Sequence, residues 1–142
     1  MDERYGFLER RLAGEQQTLA RSLRALIRNE PVVCREHLSV REAVGIMRGR
    51  GVGSVIVVDD ASRPIGIFTT TDLVAVAARG LDEQAVAEVM TRSPFALPAH
   101  ALAYEAALAM IGTNIRHVLV MDEDRIIGVV SERDLFSLQR LG

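Results

Sequence analysis

Residues 128–135 read GVVSERDL, and residues 66–73 read GIFTTTDL. In each, a glycine sits inside an apolar run and a hydroxyl residue precedes an aspartate by three positions: Ser131 with Asp134, Thr69 with Asp72. One Ser/Thr-x-x-Asp/Glu pattern ahead of apolar residues is the signature of a helix capping box. Two copies at matching places imply that the chain is internally duplicated.

Working outward, residues 30–60 align with residues 93–123 at a constant offset of 63 (94 − 31): Pro31 meets Pro94, Glu42 meets Glu105, Ala43 meets Ala106 and Met47 meets Met110. Val55, Val57 and Asp59 meet Val118, Val120 and Asp122. The turn ASRPIG is one residue longer than its counterpart DRIIG, so the offset falls to 62 (128 − 66), and Gly66, Asp72 and Leu73 meet Gly128, Asp134 and Leu135. Each copy opens with a short extended piece, Val32 to Cys34 or Phe95 to Leu97. A helix follows, with apolar positions at helical spacing (Val40, Ala43, Val44, Met47; Leu102, Ala106, Met110). Two β-branched runs, SVIVVD with PIGIFT and HVLVMD with IIGVVS, are joined by turn residues, and a last helix starts at the Ser/Thr-x-x-Asp box. The unit reads β-α-β-β-α. Val55 to Val58 and Val118 to Met121 are apolar enough to be strands covered on both faces, although so short a run is also compatible with buried helix.

The length of 142 residues suits one domain, or two units of ~60 residues that share a core. Nearly half the residues are apolar while aromatics are 4% and tryptophan is absent, so the core is expected to be aliphatic. A net charge of −2 gives no overall field for nucleic acid. One cysteine, Cys34, excludes a disulfide framework or a cysteine zinc cage within one chain. With no signal peptide and no apolar run of membrane-spanning length, the chain is expected to be cytoplasmic, without membrane or nucleic-acid partners.

Residues 3–28 form a helical candidate with the stripe Tyr5, Leu8, Leu12, Leu19, Leu23 and Leu26, weakened at Gly14 and Gln16–Gln17. It either covers the core or makes a dimer or connector contact. Between the copies, Gly80 ends one helix and Asp82 is placed to cap the next, so the linker is expected to be helical. The expected organisation is an N-terminal helix at 1–25, a first repeat at 26–79, a linker at 80–92 and a second repeat at 93–142.

The doubled motifs resemble a tandem pair of CBS (cystathionine β-synthase) domains over residues 26–140. Val89, Met90, Thr91 and Pro94 match a V-M-T-x-x-P signature, with Leu26, Ile27 and Pro31 as a degenerate copy; IRHVLVMD at 115–122 matches an RH-h-h-V-h-D segment, where h is apolar. The resemblance implies an α/β (α+β) module of two β-α-β-β-α repeats related by a pseudo-twofold axis, often a homodimer, with clefts that bind adenosine-containing ligands and regulate an attached protein. LFSLQR and GLDEQAVAEVMT are similar to CBS pairs between a cyclic-nucleotide-binding domain and a nucleotidyltransferase-like domain.

By that resemblance Asp72 and Asp134 hold a ribose, with Thr69, Thr71, Ser131 and Arg133 near phosphate. The chemistry is apt, since a carboxylate accepts two hydroxyls and helix-start N–H groups meet phosphate oxygens. Arg116 and His117 stand where the first copy has Gly53 and Ser54, so unequal sites are expected, the phosphate-rich one around Arg116, His117, Ser131 and Asp134. Val33 and Ala96, with Val55 or Val118, are candidates for an adenine slot. Capping alone also accounts for Thr69–Asp72, and a solvated strand end for Arg116 and His117. The chain departs from the commonest family pattern where Leu119 and Ile56 replace a proline. The expected ligand is an AMP-, ADP- or ATP-like nucleotide or S-adenosylmethionine, with no cofactor required; the alternative is a dimerisation or interaction module without ligand.

Nothing in the sequence points to catalysis. Cys34 and His37 lack a third orienting group and the cysteine reads as structural. His37, His100 and His117 are too dispersed for a metal site. RGRGVGSVIV lacks the third glycine of a dinucleotide fingerprint and leads into a strand. The acids Asp59–Asp60 and Asp122–Glu123 read as solvated turn residues. Gly66 and Gly128 are expected to permit close packing rather than to touch ligand.

Overall fold

A computed structural model describes residues 17–80, 82–92 and 94–136. Tyr5, Leu8, Leu12, Gly14 and Gln16 of the N-terminal candidate, Leu81 of the linker and residues 137–140 of LFSLQR lie outside the described residues. Within them, the helix expected to continue to residue 28 is broken. Residues 17–19 are helical, the chain turns at Ala20, and Ser22, extended at φ −71° and ψ 154°, caps a new short helix α1 (Leu23–Leu26).

The elements then follow as β1 (Val33–Arg35), α2 (Val40–Arg50), β2 (Ser54–Val58), β3 (Pro64–Thr69), α3 (Thr70–Arg79), α4 (Val86–Val89), β4 (Thr91–Arg92), β5 (Ala96–Pro98), α5 (Ala103–Thr113), β6 (His117–Asp122), β7 (Arg125–Ser131) and α6 (Glu132–Phe136). The β-α-β-β-α order occurs twice, with both edge strands one residue later than the sequence implies. Two compact units result: residues 31–94, and residues 17–30 together with 95–136. The sequence repeats and the packing units are thus offset by one segment.

In the first unit a four-stranded sheet has the order β1-β2-β3-β4, with β1 parallel to β2 and the other pairs antiparallel. In the other, β5 is parallel and β7 antiparallel to β6. Parallel strands need a crossover, which α2 and α5 provide. Val55 and Val57 of β2 pack with Cys34, Val40, Ala43, Met47, Phe68 and Val86. Val118 and Val120 of β6 pack with Leu23, Ala103, Ala106, Met110 and Leu135.

The segment ahead of each repeat docks by the same three backbone hydrogen bonds. In one unit Val40 N–H donates to Gln84 C=O at 2.8 Å, Val86 N–H to Leu38 C=O at 2.7 Å and Ala87 N–H to Glu36 C=O at 3.4 Å. In the other, Ala103 donates to Arg21 at 2.8 Å, Leu23 to Ala101 at 2.8 Å and Arg24 to Ala99 at 3.0 Å, each position 63 residues along. Leu23, wholly buried, anchors this docking; burying one leucine is worth about 1.5–3 kcal/mol.

Helix ends follow local rules. Ser39 and Glu42 close a full capping box on α2, with hydroxyl and carboxylate bonds of 3.0 and 3.1 Å. Leu102 at the matching place has no hydroxyl, so only the Glu105 carboxylate bond to its N–H, 2.8 Å, remains. Gly51 and its counterpart Asn114 end these helices at φ 65° and 59°, the left-handed conformation that favours those two residues. Gly80 ends α3 as expected, at φ 69°.

The linker expectation needs correction. Asp82 caps nothing: Ala85 is the N-cap of α4 and has no side-chain bond, while the Asp82 carboxylate accepts from Arg41 at 2.6 Å. Among the described residues the linker is helical for only four residues, after which Thr91 and Arg92 join the sheet against Ile67 and Gly66.

Candidate functional site

Both motif boxes form where a strand passes straight into a helix. Thr69 ends β3 and caps α3: its N–H donates to Asp72 Oδ2 at 2.9 Å, its hydroxyl to the same oxygen at 3.2 Å, and Asp72 N–H approaches the hydroxyl at 3.5 Å. Ser131 ends β7 identically, with Ser131 N–H and hydroxyl donating to Asp134 Oδ2 at 2.8 and 3.0 Å and Asp134 N–H donating to the hydroxyl at 3.3 Å. Capping is therefore real in both copies. It uses one carboxylate oxygen of each aspartate and leaves the other for a different partner.

Sheet register decides which other residues gather there. His117 pairs with Ser131 across β6 and β7, and Glu132 N–H donates to Arg116 C=O at 2.9 Å. Arg116, His117, Ser131, Arg133 and Asp134 thus share one strand end, with Arg116 and Arg133 exposed. In the other unit Ser54 pairs with Thr69 and Thr70 N–H donates to Gly53 C=O at 3.2 Å, with Thr71 exposed. That end carries no cation at the places of Arg116 and His117.

The apolar candidates divide. Val33 is 47% exposed and Ala96 is exposed, whereas Val55 and Val118 are wholly buried core residues whose side chains have no surface to offer a ligand. Ala96 lines an open cavity of about 560 Å³ with Arg24, His100 and the Met121–Glu123 turn. That cavity lies at the opposite end of β6 from His117, away from the motif box.

Gly66 and Gly128 meet close neighbours. A Cβ on Gly66 would overlap the Met90 side chain and come within 2.8 Å of Thr91 O, and one on Gly128 would lie 2.6 Å from Ile27 Cδ1. Cys34 is buried in the core, and burial pushes its thiol up to about 11. His37 is exposed, its Nε2 3.7 Å from Asp60, so the two do not form a nucleophile pair. Asp59 closes the β2–β3 turn by accepting from Ala61 and Arg63 N–H, each at 2.9 Å; the bond from Arg63 leads in holding its carboxyl below the ordinary range. Asp122 pairs with Arg24 at 2.9 Å. Among the described residues no group of three or more potential ligands is placed to hold a metal, and no helix is long and apolar enough to cross a membrane.

One contact escaped the sequence. The hydroxyl of Thr91, on β4, donates to Asp72 Oδ1 at 3.3 Å. Thr91 was legible as part of V-M-T, but its partner is 19 residues away and reached only through strand pairing.

The sequence profile of the CBS domain matches residues 23–79 and 86–140. Over 99 residues the chain is 35% identical to the arabinose 5-phosphate isomerase KdsD of Yersinia pestis, covering 68% of this chain but 30% of that protein. Over 97 residues it is 31% identical to an uncharacterised protein, MK0525, of Methanopyrus kandleri, covering 66% and 50%. The chain thus spans half or less of these curated relatives. Among solved structures, the CBS-domain protein ATU1752 from Agrobacterium tumefaciens superposes with a TM-score of 0.73 at 30% identity, covering 84% of this chain and 93% of that one. The CBS domain protein PAE2072 from Pyrobaculum aerophilum, solved with AMP, superposes at 0.76 with 23% identity, covering 85% and 95%. The doubled β-α-β-β-α order, the paired boxes and these matches agree: the chain belongs to the CBS domain family and carries two CBS domains in tandem.

Proposed function

We propose that the chain is a regulatory module that binds an adenine nucleotide, an AMP-, ADP- or ATP-like molecule or S-adenosylmethionine, at the motif box of its second repeat. The observation that carries the reading is the shared strand end of Arg116, His117, Ser131, Arg133 and Asp134, where cationic side chains adjoin a carboxylate with an oxygen to spare. Asp134 takes the ribose, Ser131 and the cations take phosphate, and in the other unit Thr69, Thr71 and Asp72 form a weaker counterpart. The AMP bound by PAE2072 supports this choice of ligand class. Occupancy shifts the chain toward whichever conformation binds the nucleotide better, and so controls an attached or associated protein in the cytoplasm, such as a nucleotidyltransferase-like enzyme. The module itself catalyses nothing and needs no cofactor. Calorimetry with AMP, ADP, ATP and S-adenosylmethionine tests the reading: binding by at least one is expected, and a folded protein that binds none overturns it.

A second reading, self-association without ligand, has its own support. On α5 the residues Tyr104, Leu108 and Ile111 are 52%, 51% and 74% exposed and lie on one face. The matching positions of α2 are Arg41, Gly45 and Arg48. A homodimer through α5 and a nucleotide site are compatible; the ligand-free form of this reading expects no thermal shift with any nucleotide.

A further inference from the structure

Asp72 and Asp134 occupy matching places, yet the hydrogen bonds they accept leave them unequal. An ionised carboxylate has about four lone-pair sites. Asp134 spends two, both on Oδ2, on Ser131 N–H and hydroxyl, and no donor reaches Oδ1 among the described residues. Asp72 spends the same two on Thr69 and a third, on Oδ1, on the Thr91 hydroxyl. Two acceptor sites remain on Asp134, enough for both hydroxyls of a ribose. One remains on Asp72. The difference arises from β4, whose pairing with β3 places Thr91 beside Ile67. The residue at the place of Thr91 in the other copy is Arg28 (91 − 63), which lies in no strand.

We propose that Thr91 sets the affinity of the first repeat's site: its hydroxyl holds an acceptor position on Asp72 that a ribose diol needs, so nucleotide fills the Asp134 site first and the Asp72 site fully only by displacing Thr91. This rests on the nucleotide reading above and adds an order of filling to it. It also makes the two sites differ in how many ribose hydroxyls they count. The Asp134 site distinguishes AMP from 2′-deoxy-AMP, and the Asp72 site does not until Thr91 is removed.

Calorimetry of the full 142-residue chain with AMP and 2′-deoxy-AMP tests this, using wild type, Thr91→Val and Thr91→Ser. Wild type is expected to show a tighter site that prefers AMP and a weaker site indifferent to the 2′-hydroxyl. Thr91→Val tightens only the weaker site for AMP, by about five-fold, the worth of one ordinary hydrogen bond, and confers the same preference on it. Thr91→Ser, which keeps the hydroxyl, behaves as wild type. An unchanged or weakened Asp72 site in Thr91→Val, with the Asp134 site normal, overturns the proposal and leaves the nucleotide reading standing. No binding of either nucleotide by any variant overturns that reading and the proposal with it. A double-mutant cycle of Thr91→Val with Asp72→Ala, which removes the acceptor, reads the contact without ligand in urea unfolding, and strict additivity there overturns it.

Discussion

At Asp134 one oxygen closes a capping box and the other has no donor among the described residues, so a single substitution separates structure from binding. Asp134→Ala removes the box and is expected to cost about 0.5–2 kcal/mol of stability in urea unfolding, the worth of a cap, while AMP affinity falls at least ten-fold. Loss of stability with affinity intact would assign the residue to capping alone. Cys34 gives a second check at this scale. Its folded pKa is raised from 9.0 to about 11 by burial, so the native state keeps its proton where the unfolded chain has lost it. Stability is therefore unaffected by this group below pH 9 and falls as the pH rises from 9 toward 11. In Cys34→Ser that part of the alkaline fall is expected to disappear from the pH dependence of urea midpoints, and an unchanged slope would contradict it.

At the scale of elements, the glycines of the two motifs test how each lead-in segment docks. Gly66→Ala drives a methyl toward Thr91 O, a backbone atom fixed by strand pairing, whereas the nearest atoms to a methyl at Gly128 belong to the side chain of Ile27, which can rotate. Gly66→Ala is expected to cost the ~1–3 kcal/mol typical of overpacking and Gly128→Ala less, in chemical unfolding; the reverse order would contradict this packing. The same elements mark where sequence reading succeeds. Strands β2, β3, β6 and β7 were visible because apolar runs and box residues recur in two copies, and the box chemistry is local, spanning three residues. Asp82 misled because its capping role was judged from its neighbours, while Arg41, across the unit, claims its carboxylate. The Thr91 contact is invisible for the same reason, and Val55 and Val118 read as slot candidates because an apolar residue near a site looks the same whether it lines a slot or fills the core.

For the whole molecule, duplication supplies an internal control: two copies share backbone, boxes and docking bonds, so their differences carry the functional reading. The exposed face of α5 is one difference. Ile111→Glu with Leu108→Arg is expected to convert a dimer to a monomer in light scattering at micromolar concentration; a wild type that is already monomeric would contradict self-association through this face. The cations at the second repeat's strand end are another difference, and the central claim rests on them. The most direct measurement is AMP calorimetry on wild type beside Arg116→Ala. The Arg116 side chain is exposed, so Arg116→Ala is expected to fold as wild type does. Saturable binding that weakens several-fold in the variant is predicted; a folded wild type that binds no adenine nucleotide, or an Arg116→Ala variant that binds as tightly as wild type, would contradict the account.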